Sequence, residues 1–174
     1  SSYMIRLGIP VKMNKGRRIT DSNTLDIAVM TYAGLINKNI VSILQKFNCN
    51  AIGLCGADAN LITSKIREIK EIDYGLVGDI VSVNVNFINQ LLKLKISPII
   101  CSLTHNGYGQ LLNTNADSIA SEISIKLSKN YDVTLKYCFD KPGVLIDKND
   151  NLSFKKTINK TDYKQLIKNK IIYD

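Results

Sequence analysis

The stretch VNFINQLLKLK, residues 85–95, carries apolar side chains at helical spacing and lies between two short apolar runs, AIGLC (51–55) and SPIICSL (97–103). A short, continuously apolar run bounded by turn residues reads as a buried strand. Strands joined through a helix pair in parallel, and a parallel sheet needs both faces covered. This alternation narrows the fold more than any other feature. It predicts an α/β chain with a mainly parallel sheet and helices on both faces. Ligands in such sheets collect beyond the carboxyl ends of the strands. The loops after Cys55, after Leu103 and after Phe139 are therefore where a site is expected.

The rest of the chain fits the same plan. Residues 2–8 read as the tail of a helix ending at Gly8, and VKMNKGRRIT (11–20) as a hairpin turning at Asn14-Lys15-Gly16. Asp21 is placed to cap a long helix, with Leu25, Ile27, Ala28, Val29, Ala33, Leu35 and Ile36 on its apolar positions, running to about Phe47. LITSKIREI and LVGDIVSV read as strands. LLNTNADSIASEI (111–123) opens the next helix, which continues to about Asn130. YDVTLKYCF (131–139) reads as a strand leading into the Pro-Gly turn of FDKPGVL. A small hairpin near 145–155 then precedes a last helix, TDYKQLIKN (161–169). No linker, repeat or low-complexity segment interrupts the chain, so residues 1–174 read as a single domain.

The net charge of +8 raises the question of nucleic acid. The lysines are dispersed, no basic run is interleaved with aromatics, and there is no tryptophan. Dispersed lysine reads as solvated surface, and a small anionic substrate fits the charge at least as well. No apolar run looks long enough to cross a membrane, and the N-terminal SSYMIRLGIP has no signal-peptide pattern. Cys49, Cys55, Cys101 and Cys138 have no CxxC spacing, and three of them sit in apolar, strand-like runs. They read as buried thiols in a reducing, cytoplasmic setting rather than as metal ligands.

Four stretches are candidates for chemistry. In GRRIT (16–20) adjacent arginines on a strand face opposite ways, so one guanidinium could hold a carboxylate through two parallel hydrogen bonds. An ordinary basic hairpin is the simpler reading of the spacing. GLCGADAN (53–60) either approaches a ligand or forms a tight turn. The only histidine, His105, lies beside Asn-Gly and reads as a turn residue, since no Ser-His-Asp or Cys-His set accompanies it. In LLNTNAD, Asn115 or Asp117 can cap the following helix. One cap does not require three small polar residues, so Asn113 is free to point into a cleft. Asp117, in the first turn, is favoured as a carboxylate by the helix dipole and could orient ammonium groups.

Taken in order, GRRIT, GLINKNIV (34–41), GLCGADAN, DYGLVGDI (73–80), SPIICSLTHNGYGQLLNTNADSIA (97–120), FDKPGVL (139–145) and the closing KNKIIYD resemble the amino-acid kinase family over almost the whole chain. They resemble most its branch that phosphorylates the side-chain carboxylate of N-acetyl-L-glutamate with ATP and Mg2+, the second step of arginine biosynthesis. The resemblance implies a three-layer α/β/α sandwich. It implies that Arg18 and Asn113 grip the substrate's α-carboxylate, that residues 9–20 form a lid over it, and that Asp117 organises two catalytic lysines. It places the nucleotide against Asp140, Lys141, Pro142, Gly143, Val144 and Leu145, and against Ile171, Ile172 and Tyr173, within a nucleotide-binding region at 131–174. It also implies a homodimer through the helix starting near Asp21. The family's Lys-x-Gly-Gly strand, its His-Gly-Gly-Gly loop and its second lysine beyond a Gly-Met motif have no counterpart in these residues, so a central fragment, truncated at both ends, is expected. N-succinyl-L-glutamate as the substrate, or a non-catalytic remnant that binds acyl-glutamate, are the alternatives.

Overall fold

In the computed structural model, which describes residues 2–14, 17–69, 71–139, 141–147 and 149–172, the helices that begin at Ser22, Val85, Ala116 and Lys160 each start on a side-chain cap. The chain divides into two units, Ser1–Leu135 and Lys136–Asp174. In the first unit, α1 (Ser2–Arg6) ends before Gly8, whose φ of +68° closes the helix as a C-terminal glycine commonly does. Strands β1 (Met13–Asn14) and β2 (Arg17–Arg18) pair antiparallel, Met13 opposite Arg18. The expected turn residues Lys15 and Gly16 lie outside the described residues. Asp21 then caps the long helix α2 (Ser22–Lys46), its Oδ1 accepting the Thr24 amide at 2.8 Å. The middle turns, Val29–Ile36, are widened, and the amide of Asn37 reaches the carbonyl of Tyr32.

Contrary to the sequence reading, α2 is long and apolar enough to span a membrane by length and composition. Its apolar positions are dispersed among small polar residues, which hides the run from a search for unbroken hydrophobicity. In the fold it has a protein partner. Leu25 and Ala28 pack with buried Leu103. Further along, Asn37 Nδ2, Lys38 Nζ and Gln45 Nε2 donate to the carbonyls of Ile99, Gly53 and Ala51 at 2.8, 3.0 and 3.1 Å.

The strands that follow are β3 (Ala51–Leu54), β4 (Ile62–Ile66) and β5 (Gly78–Val83). Helix α3 (Val85–Lys93) is capped by Asn84. Strands β6 (Ser97–Ile100), β7 (Leu103–His105) and β8 (Leu111–Asn113) lead to helix α4 (Ala116–Leu127). β3 and β6 pair in parallel, from Ala51 opposite Ser97 to Leu54 opposite Ile100. The other four strands form a sheet in the order β5-β4-β7-β8, parallel between β4 and β7 and antiparallel at its two outer pairs. The two sheets join at Gly56, which donates to the Leu103 carbonyl at 2.7 Å and accepts from the Ile62 amide at 2.9 Å. A Cβ at Gly56 would lie 2.7 Å from Thr104 Cα, so only glycine permits this junction. One core cluster, Leu54, Leu61, Ile62, Val83, Ile88, Leu91 and Ile119, joins the strands to α3 and α4. A second joins them to α2, which gives the α/β/α layering. Each fully buried Leu or Ile contributes about 1.5–3 kcal/mol.

Three sequence expectations need correction. SPIICSL is two strands, broken at Cys101-Ser102, because β6 pairs with β3 and β7 pairs with β4 and β8. Leu111–Asn113 is a strand before the helix, because the loop from His105 to Gln110 turns the chain back on β7. Gly107 and Gly109 supply φ of +82° and +90°, and Asn106 Oδ1 accepts the amides of Tyr108 and Gln110. Residues 131–139 are not a strand: they alternate as one would, but among the described residues they join no sheet, and Leu135, Tyr137 and Phe139 are exposed. The cysteines are also less buried than expected, with Cys49, Cys55 and Cys101 half-buried and Cys138 exposed.

The second unit holds a small hairpin, β9 (Val144–Leu145) with β10 (Phe154–Lys155), and helix α5 (Lys160–Lys168). Asn159 and Asp162 form a reciprocal capping box at its start, and Lys155 Nζ pairs with Asp162 Oδ1 at 2.6 Å.

Candidate functional site

The hairpin of Arg18 reaches Asn113 through a single residue, Leu76. Pairing of β1 and β2 continues past Arg18, with the Ile19 amide donating to the Lys12 carbonyl at 3.0 Å. The next residue, Thr20, is fully buried. Its amide donates to Tyr74 O at 2.9 Å, and its carbonyl accepts from the Leu76 amide at 2.7 Å. The carbonyl of Leu76 in turn accepts the Asn113 amide at 2.9 Å. The side chains repeat this link, since Asn113 Nδ2 donates to Thr20 Oγ1 at 3.0 Å. Glycine is required beside it. Gly75 has φ +69°, a Cβ there would lie 2.3 Å from Thr20 O, and its amide donates to Asp73 Oδ1 at 2.7 Å.

The two arginines differ as strand alternation predicts. Arg17 is exposed, whereas Arg18 is half-buried with Nη1 3.6 Å from Met4 Sδ. Arg18 and Thr20 are two apart on extended chain, which sets their side chains toward the same side. One residue past Asn113, the buried Thr114 hydroxyl bonds to that of Thr104 at 2.7 Å. Asn115 then caps α4 by accepting the Ser118 amide at 2.9 Å. The cap is therefore not Asp117, which sits exposed in the first turn, at the positive end of the helix dipole. Of the residues singled out from sequence, the structure brings Arg18 and Asn113 to the two sides of the Thr20–Leu76 link and sets Asp117 four residues beyond Asn113.

Two other candidates resolve to local structure. Asp58 Oδ2 accepts the Cys55 amide at 2.7 Å, so GLCGADAN is a tight turn around Gly56. His105 Nδ1 accepts the Gly107 amide at 3.1 Å and closes the β7–β8 loop. At the carboxyl ends of β3 and β6, burial raises the Cys55 thiol, and burial followed by the neighbouring Cys55 pushes Cys101 up to about 11.

The second unit carries the other named residues. Lys141 and Pro142 are exposed, with Lys141 Nζ 3.5 Å from Asn151 Oδ1. Gly143 packs against Phe154, and Val144 and Leu145 form the half-buried strand β9. Ile171 and Ile172, also half-buried, follow α5, the Ile171 amide returning to Leu166 O at 2.9 Å. Asp140 and Tyr173 lie outside the described residues. Among the described residues no group of three or more His, Cys, Asp or Glu converges as a metal cage.

The residues sequence reasoning passed over are Thr20 and Leu76. Their signal was Asp73-Tyr74-Gly75, an Asx turn followed by glycine, which marks a tight approach of two backbones.

A model of the amino acid kinase family matches residues 2–173, and the chain belongs to that family. It is 50% identical to an acetylglutamate kinase of Phocaeicola vulgatus over 167 residues, covering 96% of this chain and 65% of the relative. It is 48% identical to that of Bacteroides thetaiotaomicron and 51% to that of Azobacteroides pseudotrichonymphae, again at 65% of the relatives' length. The chain thus spans just under two thirds of these curated relatives. Among solved structures, smu.665 from Streptococcus mutans superposes with a TM-score of 0.82 at 22% identity, over 98% of this chain and 66% of that one. An N-acetylglutamate synthase from Neisseria gonorrhoeae superposes at 0.58 and 20% identity, over 71% of this chain and 30% of that one. These likenesses show the fold alone.

Proposed function

We propose that the full-length protein phosphorylates the side-chain carboxylate of N-acetyl-L-glutamate with ATP and Mg2+, giving an acyl phosphate and ADP in the second step of arginine biosynthesis. The observation that carries this reading is the Thr20–Asn113 hydrogen bond together with the backbone bonds both residues make to Leu76. They hold the arginine hairpin against the strand of Asn113, and a guanidinium with a neighbouring amide is suited to an α-carboxylate. The names of relatives about 50% identical support the same substrate.

Residues 9–20 act as the lid, and Asp117 orients ammonium groups that neutralise the transferring phosphoryl group. A carboxylate oxygen of the substrate attacks the γ-phosphorus as the bond to the β-phosphate oxygen breaks. The nucleotide side is formed by residues 140–145 and 171–173, within the region 131–174. A homodimer through α2 is supported by its exposed apolar side chains, Met30 at 58% and Ile43 at 57%, with Phe47 just beyond at 71%. Four free cysteines support a reducing cytoplasm.

The test is a hydroxamate assay on the full-length protein with N-acetyl-L-glutamate, ATP and Mg2+. Hydroxamate formation that requires both substrates is expected. Turnover of N-succinyl-L-glutamate alone would move the assignment to that substrate, and turnover of neither would end the reading.

A further inference from the structure

We propose that Arg67 is a positioning residue that fastens the connection between β4 and β5, from which both the Arg18 hairpin and the Asn113 strand are hung. This role, which rests on the proposed acyl-glutamate pocket, needs no contact with the ligand.

Residues 67–77 join two antiparallel strands by a path longer than a tight turn needs. The extra length is used sideways. On one edge Tyr74 O accepts the Thr20 amide, and the Leu76 amide donates to Thr20 O, at 2.9 and 2.7 Å. On the other edge Leu76 O accepts the Asn113 amide at 2.9 Å. Residues 74–76 are thus a spacer between the two groups that would grip the carboxylate, and their placement sets the gap.

Arg67 holds this connection at its base and at its middle. The Arg67 amide donates to Val77 O at 2.8 Å and closes the base. Its Nε donates to Asp79 Oδ1 at 3.0 Å, and Nη2 donates to the same oxygen, which ties the guanidinium to β5. Cζ lies 5.8 Å from the centre of the Tyr74 ring, within cation–π range. A guanidinium only donates and a carboxylate only accepts, so the polarity of the ion pair is fixed. With side chains 21% and 39% exposed, that pair alone is weak, and the stacked ring shares its task. Losing either half should open the connection locally and leave the rest of the fold intact.

An open connection lets the guanidinium and the amide move apart. Ligand then binds the closed fraction, and apparent affinity falls in proportion to it. Saturating ligand restores the closed form, so KM rises while kcat does not.

The test compares wild type, Arg67→Met, Tyr74→Ala and Tyr74→Phe in the full-length protein. Hydrogen exchange is read at the amides of Thr20, Leu76 and Asn113. The Cys101 amide, bound to Leu54 O at 2.9 Å in the other sheet, is the reference. Arg67→Met and Tyr74→Ala should speed the three amides about tenfold or more and leave Cys101 unchanged. Tyr74→Phe, which keeps the ring, should exchange like wild type. In the hydroxamate assay the first two variants should raise KM for N-acetyl-L-glutamate about threefold or more, with kcat and KM for ATP unchanged. Unchanged exchange at the three amides overturns the proposal, as does faster exchange with an unchanged KM. A wild type that turns over no acyl-glutamate ends the pocket reading and the binding role with it, while the exchange rates still decide whether Arg67 fastens the connection.

Discussion

The side-chain amide of Asn113 donates to the hydroxyl of Thr20 across 93 residues of sequence. A hydroxyl can donate as readily as it accepts. Asn113→Asp therefore keeps the link, with Thr20 turning to donate, and stability should change by less than about 1 kcal/mol. The ligand, by contrast, would meet a carboxylate in place of a donor. Binding of N-acetyl-L-glutamate, read by calorimetry beside a urea melt, should fall more than tenfold. A variant that binds like wild type would remove Asn113 from the pocket.

Arg18 is half-buried on a two-residue strand, and its neighbour Arg17 is exposed. Lysine conserves the charge but loses the planar fork. Arg18→Lys should weaken acyl-glutamate about tenfold, a loss of about 1.4 kcal/mol, while Arg17→Lys should leave it unchanged. No loss in either variant would mean that only the net charge of the hairpin matters.

Gly75 and Gly107 both have positive φ, +69° and +82°, but only Gly75 is crowded. Gly107→Ala meets open space and should cost about 1 kcal/mol, the backbone penalty alone. Gly75→Ala adds a methyl 2.3 Å from Thr20 O and should cost about 3 kcal/mol or more. Chemical denaturation of the pair separates conformational strain from collision. Similar midpoints would show that the Thr20–Gly75 approach is soft.

The Thr24 hydroxyl, and then its amide, bond to the Asp21 carboxylate and hold its pKa below the ordinary value. A carboxyl lowered in the folded state stabilises above its unfolded pKa, near 3.9, and that stabilisation is lost as pH falls through the folded value. At pH 7 Asp21→Ala should be less stable by about 1 kcal/mol, the usual cost of losing a helix cap. The difference should shrink steadily as the urea midpoint is followed below about pH 4. A gap that is constant down to acid would mean the cap works without its charge.

Among the thiols, Cys138 is exposed, while burial raises Cys55 and lifts Cys101 to about 11. Only the thiolate is nucleophilic. Alkylation at pH 8 followed by mass spectrometry should label Cys138 first and Cys101 last, and raising the pH toward 10 should speed Cys101. Early labelling of Cys101 would indicate that the end of β6 opens in solution.

The elements legible in the sequence were those whose partners are close along the chain. The cap at Asp21, the hairpin at Arg17–Arg18, the helix at 85–95 and the strand at Ala51–Leu54 all follow from local pattern. Misread elements were those that depend on distant pairing. SPIICSL is continuous in hydrophobicity, and its break at Cys101-Ser102 exists because two different sheets claim its halves. Residues 131–139 alternate correctly and still form no strand, since alternation describes a surface and says nothing about a hydrogen-bonding neighbour. At the candidate site the charged and amide groups could be named from the motifs. Thr20 could not, because its role lies in a contact with a residue that periodicity does not connect to it.

The side-chain bonds from α2 to the edge of β3 bear on the order in which this chain acquires structure. Gln45 meets Ala51 across 6 residues, and Lys38 meets Gly53 across 15. The parallel partner of β3 begins only at Ser97, beyond two further strands and a helix. Closing a short loop costs less entropy than closing a long one, and early local contacts speed folding. The helix–strand hook should therefore assemble first, with the outward carbonyls of β3 already occupied. The nascent strand would then present one open side, which directs Ser97–Ile100 to the correct edge and leaves the other unavailable to a neighbouring molecule during synthesis.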